Sequence, residues 1–596
     1  MGTPYPKEQM HRIAYTKLSA DQISEKLSKV VSGGPKCASP LSDVLAGKQL
    51  KIVTDGGLSL VYKFAGASRL SVAENGAAAV EAGYGAQMLD HVILFTHLVP
   101  GTQRAYSAII DQHTNQATVF ELWFSGYKDN REVQRAIHFG YVDEPGKKAP
   151  EKRHALTNRM QGHGYYWKQD NGAQTLEFYP SVMYSHFVEL SRLGGELSWC
   201  APSDYVKITD DLYIHSRAEC ELSGIHTMYV LDLNRIEQVG MRLGFDANDT
   251  LEYYVFRGKG EWLGQIAHFE QFGDLRGAPT PAGQDGKPAA KGARAVYRPM
   301  ATMHKMTKPE VDAAVAKRKV AFPVRGPGEA APISDAMGAN SGPQTDWLAG
   351  KKFTLRYDNG PAIEYQVDEA ETLRWRKEGQ TGWTKARYRA WESMPGVIIF
   401  GHFLDGEPNH DGHSIVCDFH HGLVTCFDGF VNTPYIANEM GVRVMLGMIE
   451  MEGLNPPKYR RHQLTDEMCG SAVTWNYMPG TFGKPGEPDR AGLTSMHLYT
   501  TPHSLSWIIF QPNGAGGMEW SGPSAQVKIR EGLYFIYWLE EACNGALGTV
   551  LVNMRTMHDA GIGFHCGPDG LSMMQVGAHA RHAGKFDVSR FYQIKS

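Results

Sequence analysis

The chain has 596 residues, with Lys+Arg 60 against Asp+Glu 64 and a formal net charge of −4. That near balance gives no general attraction to phosphate backbones or anionic lipid, so nucleic acid and membrane partners are not expected. A hydrophobic content of 42% with 21% charged residues is that of a globular chain, too long for one core and suited to several domains.

The first segment, 1–44, reads as an arm with one short helix. Ser19-Ala20-Asp21-Gln22 is a capping-box pattern, and Ile23, Leu27 and Val30 follow at helical spacing. The N-terminus has no apolar core or cleavage pattern, and no apolar run is long enough to span a bilayer, so a cytoplasmic protein is expected. The eight cysteines are scattered without a C-x-x-C and read as reduced packing residues.

From Leu45 the pattern changes to short strands with glycine-rich turns. LKIVT and LSLVYKF flank Asp55-Gly56-Gly57, and HVILFTHL, SAIIDQ and ATVFELWF follow. The stretch LAGKQLKIVTDGGLSLVYKF from Leu45 returns from Leu348 as LAGKKFTLRYDNGPAIEYQV. Arg153-His154-Ala155-Leu156-Thr157 returns as Arg461-His462-Gln463-Leu464-Thr465. WCAPSDYVKITDDLYIHSRAE from Trp199 returns from Trp520 as WSGPSAQVKIREGLYFIYWLE. The blocks keep their order at a shift of roughly 300 to 320 residues, far beyond a solenoid period. The Pro/Gly/Ala-rich stretch 276–345 reads as a linker, with a short helix after Thr307. The expected order is barrel A (45–150), barrel B (151–275), linker, barrel A′ (346–455) and barrel B′ (456–596), all-β and antiparallel.

Two of these segments carry a resemblance. LAGKKFTLRYDNGPAIEY and LYFIYWLEE, the latter with Tyr534, Trp538 and Glu540 at its marked positions, resemble the molybdenum cofactor biosynthesis protein F (MoaF) family. The resemblance implies a lipocalin-like (calycin) barrel, in which antiparallel strands enclose a small molecule. Phenolic acid decarboxylases are similar in barrel type and use Tyr, Arg and Glu in the cup without a cofactor, an analogy at the level of fold.

The two copies differ at one strand. In B′, Tyr534, Ile536, Trp538 and Glu540 share a face. In B the matching face is Tyr213, His215, Arg217 and Glu219, one row with about 7 Å between neighbours. Tyrosine, imidazole, guanidinium and carboxylate supply the parts of acid–base chemistry, with Arg217 holding an anion, His215 or Glu219 moving a proton and Tyr213 orienting the substrate. A solvent-facing strand gives the same alternation.

Trp199, His97, His402, Tyr534, Trp538 and Glu540 are the further candidates for ligand contact; His97 and His402 each lie two residues after a phenylalanine, which also suits a core or rim histidine. Histidines cluster at 410, 413, 420 and 421 and at 558, 565, 579 and 582 without zinc spacing, and no dinucleotide or P-loop fingerprint occurs, so neither metal nor cofactor is expected. The functional expectation is a cofactor-independent lyase or isomerase acting on a small aromatic or phenolic compound. The alternative is a non-catalytic small-molecule binding or carrier protein, including one for a pterin or related to the molybdenum cofactor. The assembly open to it is a homodimer.

Overall fold

The computed structural model describes residues 18–124, 131–181, 184–191, 197–219, 225–246, 249–267, 333–405, 412–431, 440–477, 494–510, 519–540, 546–567 and 570–592. The helix expected after Thr307 and most of the linker lie outside the described residues. The chain divides into two compact units, Glu8–Val311 and Asp312–Ser596.

The first helix is Ala20–Ser28. Ser19 and Gln22 form both bonds of the capping box, and Ile23 and Leu27 are its buried positions. Barrel A follows as a closed ring of eight antiparallel strands running from Gln49–Thr54 to Val133–Val142, which pair with each other to shut it. Barrel B runs from His163–Gln169 to Leu251–Gln265 and closes through the pairing of those two strands. Closure leaves no ladder edge open.

The second unit repeats this plan. Barrel B′ runs from Ser471–Asn476 to Gly570–Lys585 and is closed in the same way. Barrel A′ spans Lys352–Tyr357 to Met440–Glu450; its ladder breaks at Tyr388, between Thr384–Arg387 and Arg389–Met394, where A has one continuous strand, Val80–Leu89. The repeat also begins earlier than Leu45 and Leu348. Lys36–Cys37 lies parallel to Leu251–Gln265, and Ile333–Met337, inside the stretch read as linker, lies parallel to Gly570–Lys585. No helix among the described residues is long and apolar enough to cross a membrane.

Strand alternation gives each unit three apolar layers. In the first unit, one face of barrel A fills its own interior with Tyr62, Phe64, Tyr84 and Phe95. Barrel B fills with Tyr165, Trp167, Tyr179, Tyr205, Tyr213 and Tyr229. The outward faces of A and B meet in a third core holding Leu94, Ile109, Phe120, Ile214, Val230 and Met241. A buried ion pair sits in that junction: Arg135 donates from Nε to Asp204 at 2.9 Å.

Candidate functional site

The polar row lies on the interior side of barrel B. Leu212 and Ile214 belong to the junction with barrel A. Tyr213, His215, Arg217 and Glu219 alternate with them and are all buried, at 5%, 0%, 2% and 2% exposure. The solvent-facing alternative is therefore not what the fold adopts.

The row divides into three parts. Tyr213 sits at one end, and its hydroxyl donates to the Asp210 carbonyl at 2.7 Å. His215 is stacked between Tyr205 and Tyr229, with ring centroids 5.1 and 5.4 Å away, and meets Tyr179 edge-on. Burial and the neighbouring guanidinium of Arg217 push its pKa well below the usual range, so it is a neutral ring. Its Nε2 is 3.4 Å from the Ser203 hydroxyl, and its Nδ1 has no hydrogen-bond partner among the described residues.

Arg217 and Glu219 belong to an ionic cluster. Arg217 donates to Glu177 through Nη1 and to Glu219 through Nε, the latter at 3.1 Å, and its guanidinium lies 3.7 Å from the Phe187 ring centroid. Glu219 accepts in addition from Arg242 and from the Thr227 hydroxyl at 3.0 Å, and Arg242 also donates to Glu252. Two guanidiniums thus face three carboxyl groups in a dry interior, an arrangement that survives only because the charges pair.

The two carboxyls flanking Arg217 are driven apart. Burial works against the Glu219 anion, but two guanidiniums and a hydroxyl hold its pKa down to about 2. Glu177 has one cationic partner and sits near the negative charges of Glu219 and Glu189; burial dominates and lifts its pKa to about 7. Its Oε2 has no hydrogen-bond partner among the described residues. The group poised to exchange a proton near neutrality is therefore Glu177, not His215 or Glu219. A cavity of about 10 Å³, room for roughly one water, touches Arg217, Thr227, Tyr229, Arg242, Thr175 and Gln169.

Glu177 carries no motif. Its place follows from the fold: Glu177 pairs with Tyr165 on one side and Phe187 on the other, and its side chain meets Arg217 inside the barrel. Trp199 is buried and packs on Phe187 at 5.5 Å.

The matching interior of B′ has no such cluster among the described residues. Ile536 and Trp538 belong to its apolar core. Tyr534 donates to Glu467 at 2.7 Å, and the Trp538 indole reaches Glu540 at 3.4 Å. Pairing register makes His497 the counterpart of Glu177, Gly548 that of Thr227 and Gly563 that of Arg242. The ion pair Arg217–Glu177 thus becomes the ring pair Trp538–His497, centroids 5.6 Å apart.

His97 and His402 occupy equivalent places in A and A′. His97 Nε2 lies 3.3 Å from the Tyr62 hydroxyl and His402 Nε2 3.1 Å from that of Tyr365, while each Nδ1 faces the next residue's carbonyl. Nδ1 then carries the hydrogen, and the tyrosine donates to Nε2. Burial pushes both rings down, to about 4 and about 3. Of the first histidine cluster, His413 points into barrel A′, His420 and His421 sit on the turn capped by Asp418, and His410 is outside the described residues.

These features define a tandem array of four antiparallel β-barrels, one with a buried ionic cluster. Residues 331–431 match the family model described as the MoaF N-terminal domain, so barrel A′ is MoaF-like. No curated protein matches the chain. Among solved structures, a protein of unknown function of the DUF3598 family from Nostoc punctiforme is similar at 9% identity and a TM-score of 0.21, covering 36% of this chain and 94% of its own.

Proposed function

We propose that barrel B is the catalytic cup of a cofactor-independent acid–base enzyme, a lyase or isomerase acting on a small aromatic or phenolic compound. The observation that carries this reading is the pair of carboxyls around Arg217: one anchored as an anion by two guanidiniums, the other with an unpartnered oxygen. In this scheme Glu177 moves the proton. Arg217 sets its charge, and Tyr229 with Phe187 supplies aromatic walls beside the guanidinium. Both arginines already serve the chain's own carboxylates, so they polarise a substrate oxygen and do not neutralise a free anion.

The test is incubation with phenolic acids followed in the ultraviolet. Continuous turnover, reduced on the order of a hundredfold or more in Glu177→Gln, supports the proposal. A stoichiometric absorbance shift without turnover moves barrel B to the carrier class. That second reading draws on barrel B′, which has Ile536 and Trp538 in place of His215 and Arg217 and a histidine, His497, in the Glu177 position.

A further inference from the structure

Barrel A′ differs from barrel A in one respect that packing does not explain. Three buried donors in its interior have no hydrogen-bond partner among the described residues, Tyr357 Oη, Trp375 Nε1 and His413 Nδ1, and one acceptor beside them, Asp428 Oδ1, is in the same state. The exposures of the three donor residues are 5%, 2% and 2%. They stand close together. His402 is 6.2 Å from Trp375 and 6.0 Å from His413, ring to ring, and both His413 and Tyr357 face the sulfur of Cys426, a weak acceptor.

The same positions in barrel A are resolved. Register places Thr54 opposite Gly140 as Tyr357 is opposite Gly447, Val72 beside Tyr62 as Trp375 is beside Tyr365, and Tyr106 beside His97 as His413 is beside His402. Thr54 accepts from Leu58 N at 3.0 Å, Val72 has nothing to satisfy, and Tyr106 is bonded by Arg104. One copy closed its interior; the other keeps three groups able to donate at one level. Each buried group left unpaired costs about 1–3 kcal/mol, a cost that selection removes readily when nothing uses it.

An ion pair lies at this level, joined from the solvent side by a second cation. His413 Nε2 lies 3.5 Å from Asp428, whose carboxylate also accepts from Arg443 Nε at 2.9 Å. Against the penalty of burial, Asp428 raises the His413 pKa and favours its imidazolium form, while burial keeps Cys426 a neutral thiol. Arg443 is 58% exposed and reaches from Asp428 to solvent. The surrounding walls are aromatic: Phe353, Tyr388 and Phe400.

We infer that barrel A′ is a binding site for a small aromatic carboxylate, whose two oxygens take the free N–H and O–H groups of His413, Tyr357 and Trp375. A carboxylate suits this set because it is acceptor-only, offers about four lone-pair directions and meets the imidazolium with opposite charge. The ring lies against the aromatic walls. This site is separate from the cluster in barrel B and does not depend on its chemistry.

The test is calorimetric titration of benzoate into the full chain, with benzyl alcohol as the neutral control. One saturable benzoate site is expected, with benzyl alcohol binding at least about tenfold more weakly. Tyr357→Phe should weaken benzoate about tenfold, one lost hydrogen bond, while leaving the unfolding temperature of the free protein unchanged or higher, since a partnerless hydroxyl is removed. Thr54→Val, the same place in barrel A, should leave benzoate affinity unchanged. The inference is overturned if benzoate shows no saturable binding, if benzyl alcohol binds as tightly, or if Tyr357→Phe leaves the affinity as it was.

Discussion

Barrels B and B′ have the same strands, register and closure, yet one interior is ionic and the other aromatic. The difference is not a scatter of single changes. Glu177, Arg217, Thr227 and Arg242 of B face one another, and all four counterparts in B′ (His497, Trp538, Gly548 and Gly563) are apolar, aromatic or absent side chains. A half-converted barrel would hold an unpaired charge, so the interior changes as a unit. The junction with the neighbouring barrel follows the same logic: Arg135–Asp204 in the first unit has Val442 and Ala525 at the matching places.

Breaking the ionic interior should have the largest effect. Arg217→Met removes the cationic partner of Glu177 and one of the two of Glu219, and is expected to destabilise the first unit by about 3–5 kcal/mol, read from chemical denaturation. The coordinated set Glu177→His, Arg217→Trp, Glu219→Gln, Thr227→Gly and Arg242→Gly should recover part of that loss, because it carries in the B′ side chains at four places and leaves no unpaired charge at Glu219. A set no more stable than Arg217→Met would mean that the two interiors are not interchangeable units.

The reverse intrusion is smaller. A Cβ at Gly548 would lie 2.2 Å from the Trp538 indole, whereas Thr227 at the equivalent place gives its hydroxyl to Glu219. Gly548→Thr should therefore cost roughly 1–3 kcal/mol in the second unit, and Trp538→Ala in the same chain should relieve the clash. Full stability of Gly548→Thr alone would show that the indole has room to move.

The smallest effect is expected where A and A′ agree. Tyr62→Phe and Tyr365→Phe each remove the donor to a buried histidine nitrogen, and each should cost about 1 kcal/mol. Unequal costs would show that only one of the two histidines depends on its tyrosine.

Much of this was legible in the sequence and some was not. Period-two alternation placed Tyr213, His215, Arg217 and Glu219 on one face, and the duplication showed which members of that face had changed. Paired hairpin signals around Asp55 and Asp358 marked where both A-type barrels begin. Glu177 was invisible because the strands it joins show no block match between the copies, and its contact with Arg217 is made across the barrel interior. The environment of His215, an imidazole among three tyrosines beside a guanidinium that lower its pKa, is likewise something composition alone does not reveal.

The central claim is that Arg217 separates two carboxyls in opposite states. The sign of each is opposite in stability. Glu177, raised from 4.5 to about 7, favours the fold most at low pH, and that contribution is lost as pH rises from 4.5 through 7. Glu219, lowered from 4.5 to about 2, contributes fully above 4.5 and loses its contribution as pH falls towards 2. The direct measurement is an infrared pH titration of the protonated-carboxyl band, taken as the difference between the wild-type protein and Glu177→Gln. The account predicts a band present at pH 5 that disappears with a midpoint near 7 and is missing from the variant. A difference spectrum with no protonated carboxyl at pH 5 would place both groups in the same ionised state and contradict it.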